Sequence, residues 1–326
     1  MKLLLALTLI ACGCTAVAQS SATEDPQLRQ EAVRLMERAA AASSPLTWPD
    51  LKRVDSFRAY GPQGERSGVY SRTVQQNKAV RNEAHFGTYA QVEVWHGRDV
   101  QSRQTGDMFP PELDDVWKLT PVRLMHFDDT DLIHAIRNDN VNGRAARCIA
   151  FETVTQHKSQ LDNEFCVDAE NGAFLRDRTG NELVEYSDYF PFAGAYFPAH
   201  IRYSVDGKLK TEIDQSMRAL TADDMSDFVP PANAEHKIAC GSFRRPLMIN
   251  SPQPKPGNGG NTYEVVVRGL VKEDGHLYGA VVQSSEREDL NSEALAVADQ
   301  WTFTPGMCDA RPNQDEVEIN LHFVNR

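Results

Sequence analysis

Three hydrophobic rhythms run along this chain. From Asp25 to about Ala42, Leu28, Ala32, Leu35, Met36 and Ala39 recur on one face at helical spacing, with Asp25 placed to cap and Pro26 at the first helical position. The spacing predicts an amphipathic helix with a stripe to bury. From Leu51 to about Phe228 the rhythm shortens to β-rich runs between turn signals at Gly61-Pro62, Asn142-Gly143, Asn171-Gly172, Thr179-Gly180-Asn181 and Asp206-Gly207. Within it YAQVEVWHGRDVQSR alternates, and IRYSVDGKLKTEIDQ reads as a hairpin about Asp206-Gly207. An antiparallel sheet is the natural reading.

The third rhythm occupies the end of the chain. Tyr263 to Val271 reads as a strand, Glu273-Asp274-Gly275 as a turn and His276 to Gln283 as a second strand. Asn291 then caps a helix whose stripe is Leu290, Ala294, Val297, Ala298 and Trp301, running into a short Trp-Thr-Phe-Thr strand that Pro305-Gly306 cuts off. Ser284-Ser285-Glu286 shapes the turn before that helix. Last comes EVEINLHFV, which sends Val317, Ile319, Leu321 and Phe323 inward and Glu316, Glu318, Asn320 and His322 outward. The predicted order is ββαβ.

Between the second and third rhythms, residues 232–261 contain SPQPKPGNGGN, whose Pro and Gly content marks a linker of limited order. Extended as polyproline, its ten residues from Ser251 to Gly260 would span only about 30 Å. The fold class expected is α+β. Residues 19–231 are expected to form a helix docked on an antiparallel sheet, and residues 262–326 a small second domain.

Composition adds compartment and partners. A 326-residue chain with 41% hydrophobic residues has material for about two cores, and its formal net charge of −12 repels phosphate backbones, which argues against nucleic acid. MKLLLALTLIACGCTAVAQS places Lys2 before an apolar run and ends in Ala16-Val17-Ala18, so residues 1–18 read as a cleaved secretory signal and Gln19 as the mature start. Leu9-Ile10-Ala11-Cys12 also resembles a lipobox, which would instead anchor the chain through Cys12. Of the six cysteines, Cys12 and Cys14 leave with the signal. Cys148, Cys166, Cys240 and Cys308 remain, and four cysteines allow three pairings.

A hairpin joining RAARCIAFETV and LDNEFCVDAENG would set Cys148 against Cys166, leaving Cys240 for Cys308. Chain-entropy arguments give about 3 kcal/mol for the short loop and about 4 for the long one. The alternative, a metal site, lacks CxxC or HxxxH spacing. The run Asp128-Asp129-Thr130-Asp131 lacks the glycine and distal glutamate of a calcium loop, and His126 and His134 beside it have no further ligand in sequence. GxSxG, HExxH, Walker A and GxGxxG are absent, so no enzyme class and no cofactor is predicted.

The order of EDGHLYGAVVQSS, the small-residue helix, the W-T-F-T-P-G exit and the terminal VEINLHF strand resembles the TonB C-terminal domain, over about residues 262–323. The resemblance implies a periplasmic domain whose last strand, with Glu316, Glu318, Asn320 and His322 outward, pairs by edge addition with an envelope partner such as an outer-membrane receptor segment. This chain departs from the family's energy transducers. Its apolar helix is read as cleaved, its spacer is short, and Ser251-Pro252-Gln253-Pro254 stands where a Tyr-Pro element is often found. Residues 24–230, through the early helix, CVDAENGAFLRDR and AYFPAHIRYSVDGKLKTEI, resemble the LolA-like lipoprotein-sorting half-barrels. That resemblance implies a competing role, the carriage of lipid or lipoprotein acyl chains.

Overall fold

A computed structural model describes residues 25–45, 47–61, 64–106, 110–120, 127–128, 130–154, 160–255 and 260–324. The signal reading of residues 1–18, the start at Gln19, and Cys12, His126 and Asp129 lie outside the described residues. Helix α1 (Pro26–Ser43) starts where Asp25 Oδ1 accepts from the Gln27 amide at 2.9 Å, and it buries the predicted Ala32, Leu35, Met36 and Ala39. It is pinned as well as packed. Arg29 donates to the carbonyls of Asp131 at 2.9 Å and Asp128 at 2.6 Å, and Arg38 to that of Ala169 at 3.1 Å.

The strands that follow are β1 (Leu51–Gly61), β2 (Gly64–Gln75), β3 (Ala79–Phe86), β4 (Tyr89–His96) and β5 (Asp99–Thr105). After helix α2 (Pro111–Leu119) come β6 (Asp131–Val141), β7 (Arg144–Val154), β8 (Gln160–Asp168), β9 (Phe174–Thr179), β10 (Glu182–Phe192), β11 (Ala195–Val205) and β12 (Lys208–Ala219). A 3-10 turn, Ala222–Phe228, then leads to β13 (Glu235–Ile238). These strands form one curved sheet in the order β13-β5-β4-β3-β2-β1-β12-β11-β10-β9-β8-β7-β6, which stays open because β13 and β6 do not meet. Chain neighbours pair as hairpins, and β1 joins β12 at the centre.

One face of this sheet is the core. Phe57, Phe86, Phe151, Phe165, Phe174, Ile201 and Ile213 pack with the α1 stripe and with Leu113 and Val116 of α2. Phe151, Phe165, Phe174 and Tyr186 follow one another at centroid distances of 5.0, 5.7 and 5.8 Å, spacings at which aromatic pairs attract. Helix α2 was not expected in a segment read as strands. Its nine residues offer a single buried i, i+3 pair, Leu113 and Val116, too short a period to register in sequence.

On the opposite face Cys148 and Cys166 are direct cross-strand partners in β7 and β8, and they are disulfide-bonded. That bond also explains why the nearby Asp139 does not complete a metal site, since its sulfur neighbours are not thiolates.

The expected linker, residues 232–261, carries more order than its composition suggests. Besides β13 it contains β14 (Phe243–Arg244) and β15 (Leu247–Asn250). The C-terminal unit then runs β16 (Thr262–Val271), β17 (Leu277–Ser285), α3 (Asn291–Ala298), β18 (Thr302–Thr304), β19 (Gly306–Cys308), β20 (Arg311–Asn313) and β21 (Asp315–Val324). β15 pairs with β18 and β14 with β19, so backbone pairing that the chain supplies later organises the segment. Composition cannot show a long-range partner. The expected Cys240–Cys308 bond is present here, 68 residues apart, at the junction of the two units.

Candidate functional site

The C-terminal unit is built around three strands in the order β17-β16-β21. Val265 and Val267 of β16 and Ile319, Leu321 and Phe323 of β21 are buried with Ala294 and Ala298 of α3. Alternation therefore commits one face of β21 to the core, as read from sequence. The helix start differs from expectation. A 3-10 turn, Glu288–Leu290, precedes α3, the N-cap position is Leu290, and Asn291 is the first helical residue with no capping bond. Ser285 does shape that turn, accepting from the Arg287 amide at 3.2 Å and donating to the Arg287 carbonyl at 2.8 Å.

The tight helix-to-strand junction has a mechanical basis. Trp301 Nε1 donates to the Pro252 carbonyl at 2.9 Å, so the indole ties the preceding segment to the helix end. Phe303 N donates to the Gly275 carbonyl at 2.9 Å. At Gly275, with φ of +79°, a Cβ would lie 2.2 Å from the Phe303 carbonyl oxygen, so only glycine fits this turn.

β21 pairs with β16 without a break from Asp315↔Val271 to Val324↔Thr262, and among the described residues no strand pairs with its other edge. Glu318, Asn320 and His322 are exposed along it. Glu316 differs from these three because it is half-buried and ion-paired with Arg268 of β16. Two groups of the large unit lie within electrostatic reach of this strand's carboxylates. Burial raises the Tyr89 hydroxyl pKa, with Glu93 and Glu316 adding to the rise, and Lys118 of α2, held protonated mainly by Asp114 at 2.8 Å, also feels Glu318.

The junction itself is polar. Arg98 Nη2 lies 2.5 Å from Asp309 Oδ2 and donates to the Ala239 carbonyl at 2.6 Å. Asp309 Oδ1 accepts from the amides of Gly241 at 3.0 Å and Ser242 at 2.7 Å, and those bonds hold its carboxyl below the usual range.

Two further features escaped sequence reasoning. β17 is the other edge of the small sheet, and Leu247, Met248 and Ile249 of β15 are exposed apolar side chains. The apolar run LMI inside a Pro- and Gly-rich segment was the available signal for the second.

The large sheet holds a pocket of about 950 Å³ on its inner face, beside the filled core. Leu51 and Arg53 of β1, Tyr70 and Arg72 of β2, Asn82 of β3 and Trp117 of α2 are among its walls. Beneath Arg53, the fully buried Asp55 accepts from Gln215 Nε2 at 3.1 Å and Thr120 Oγ1 at 3.4 Å. Arg53 Nε lies 2.9 Å from Asp55 Oδ2 without hydrogen-bond alignment. Burial raises the Asp55 pKa, and Arg53 opposes that rise.

In the acidic run beside β6, Asp128, Thr130 and Asp131 bond to one another and to Thr153 of β7. Asp128 Oδ1 accepts from the Thr130 amide at 2.7 Å, Asp131 Oδ2 from the Asp128 amide at 3.0 Å, and Asp131 Oδ1 from Thr153 Oγ1 at 2.7 Å. His134 pairs with Glu152 at 3.1 Å. Among the described residues no helix is long and apolar enough to cross a membrane.

No curated protein matches this chain. Among solved structures, a putative outer membrane lipoprotein-sorting protein domain from Vibrio parahaemolyticus is 12% identical, covering 62% of this chain and 96% of that one at a TM-score of 0.37. A LolA superfamily protein from Nitrosomonas europaea is 13% identical over 59% and 94%, at 0.34. The MucA/MucB complex of Pseudomonas aeruginosa contains a chain 14% identical over 89% and 93%, at 0.30. These scores mark likenesses too distant to transfer a role. The C-terminal unit is matched through its sequence: residues 259–324 fit the family described as Gram-negative bacterial TonB protein C-terminal.

Proposed function

We propose that this is an exported envelope protein whose C-terminal unit binds an extended segment of another envelope protein by adding it as a strand to β21. The observation carrying this reading is a strand paired along its whole length on one side and, among the described residues, unpaired on the other, inside the region that matches the TonB C-terminal family. Backbone hydrogen bonds would supply affinity, and the exposed Glu318, Asn320 and His322 would supply selectivity. Glu316, tied to Arg268, would hold the strand rather than read the partner. The two disulfides fit an oxidising compartment. Hydrogen exchange on the full chain with and without envelope extract is the test. Slowed exchange confined to Asp315–Val324 is expected, and unchanged exchange there while a partner is bound overturns the reading.

A second reading has its own observation. The inner-face pocket offers space for a small apolar or amphipathic ligand, so the large sheet would act as a carrier. The helices α1 and α2 fill the rest of that face, which confines any cargo to the end formed by β1 to β4. Native mass spectrometry of protein purified without detergent should find a bound small molecule. Ligand-free protein that also ignores a fluorescent fatty acid would leave the sheet as a packed scaffold.

A further inference from the structure

The walls of that pocket carry an imbalance of charge. Arg53, Arg72 and Lys78 line it, and no Asp or Glu does among the described residues, although the chain as a whole has a formal net charge of −12. Arg53 and Arg72 are moreover direct cross-strand partners in β1 and β2. Like charges in that position destabilise a sheet unless something lies between or beside them to neutralise them. Arg53 has Asp55 at 2.9 Å. Arg72 makes no ion pair among the described residues, and its next cross-strand neighbour on the other side is the neutral Asn82. One guanidinium is thus ion-paired within the protein, and the other lines the pocket with no ion pair among the described residues.

The apolar part of the wall is equally distinctive. Trp48, Trp95 and Trp117 all line the pocket, three of the four tryptophans of the chain. Trp48 and Trp117 remain 38% and 46% exposed, and Trp117 meets Tyr70 edge-on at 6.2 Å. Large indoles left open to water beside a guanidinium that has no ion pair among the described residues favour a ligand with a flat or extended apolar body and one acidic group.

We propose that the pocket binds an organic anion, with its acidic group on Arg72, its apolar body against the indoles, and Lys78 at the rim adding attraction. The inference rests on the carrier reading above and narrows it from an apolar cargo to an anionic one. Arg72 is suited to the task because its fork can grip a carboxylate, sulfonate or phosphate through two bonds, whereas Asp55 already occupies Arg53.

The test uses the full chain and two dyes with the same aromatic body. One is 8-anilinonaphthalene-1-sulfonate, an anion, and the other is the uncharged N-phenyl-1-naphthylamine. Fluorescence titration should show the anion binding about tenfold or more tightly than the neutral dye, the preference one charge-assisted contact supplies. The Arg72→Gln variant should lose that preference while keeping its affinity for the neutral dye. Lys78→Gln, at an exposed site, should reduce the preference by a smaller factor, and it serves if Arg72→Gln does not fold. Decanoate should displace the anionic dye from the wild type. Equal affinity for the two dyes in wild type, or an unchanged preference in both variants, overturns the anionic assignment while leaving an apolar carrier intact. Failure of both dyes to bind overturns the carrier reading along with it.

Discussion

The two units of this molecule spend their apolar residues differently. In the C-terminal unit the inward positions of β16 and β21 are consumed by one small core with α3, and what remains available is a backbone edge. In the large sheet the inner face is wide enough that α1 and α2 cover only part of it, and what remains available is a walled pocket. A sheet of three strands is too narrow to enclose anything, so it can recognise by pairing. A sheet of 13 strands can curve around a volume. The same antiparallel pattern therefore offers two kinds of site according to how many strands share it.

The sharpest way to break this division is to remove one anchor from each core. Phe165→Ala in the large sheet and Trp301→Ala in the small unit should each cost about 3–5 kcal/mol, from lost transfer energy plus a residual cavity. Phe165 is fully buried among Phe151, Phe174 and Phe127, whereas Trp301 also loses its bond to Pro252. Calorimetry and peptide-resolved hydrogen exchange should find Trp301→Ala loosening β21 and leaving the β1–β4 face protected. Loss of protection in both units from either variant would mean that they unfold as one body.

The disulfides probe the junction more gently. Replacing Cys148 and Cys166 by serine removes a bond spanning 18 residues inside one sheet, and replacing Cys240 and Cys308 removes one spanning 68. Chain-entropy estimates put the costs at about 3 and about 4 kcal/mol. The location of the effect should differ more than its size. Without Cys240–Cys308 the junction keeps the exposed Arg98–Asp309 contact and the short β14–β19 pairing, so exchange should quicken around residues 235–250. A uniform loss of protection across the chain would count against a junction-specific role.

These differences also explain what the sequence disclosed. The α1 stripe, the Asp206-Gly207 hairpin and the EVEINLHFV alternation were legible because each is specified within about fifteen residues by a single period. β13, β14 and β15 were not, because each is a strand only through a partner far along the chain, as with Leu247 opposite Thr304. The β21 edge was implied by the TonB C-terminal resemblance, and alternation told only which of its side chains face out. The pocket did not, since Trp48, Arg72, Trp95 and Trp117 come from separate elements and share no local spacing. Asn291 illustrates a smaller limit. The residue type was right for a cap, but the preceding 3-10 turn moved the helix start by one position.

A pH titration sharpens the comparison further, because the strongly raised carboxylates belong to the large unit. Burial pushes Asp115 of α2 up to about 7 from an ordinary 3.8, with Asp114, Glu112 and Glu182 adding and Lys118 opposing. Burial likewise pushes Asp177 of β9 up to about 6. A raised folded-state pKa means that the folded chain holds a proton the unfolded chain has released. Stability from these groups is therefore present below about pH 4 and lost as pH rises toward 6 and 7. Asp115→Asn should flatten the upper part of that decline and raise the melting temperature at pH 8 relative to wild type. A steeper decline in the variant would reverse the sign of the argument.

The smallest effect on stability, and the most specific on binding, is expected from the edge. Glu318 is exposed on β21 and makes no side-chain hydrogen bond or ion pair among the described residues, so Glu318→Lys should leave stability within about 0.5 kcal/mol of wild type. The substitution nonetheless reverses a charge that a strand-adding partner must pass, and it places a second positive charge near Lys118. Partner choice should shift while the melting curve does not. Asn320→Pro is the harsher companion, since proline removes a backbone donor from the strand. That loss affects partner pairing only if the Asn320 amide points away from β16, and a melting curve separates the two cases. A folded Asn320→Pro protein that recovers the same partners from envelope extract as wild type, together with an unchanged partner set for Glu318→Lys, would remove β21 from the recognition surface. The outer edge of β17, unpaired among the described residues, would then be the next strand to test.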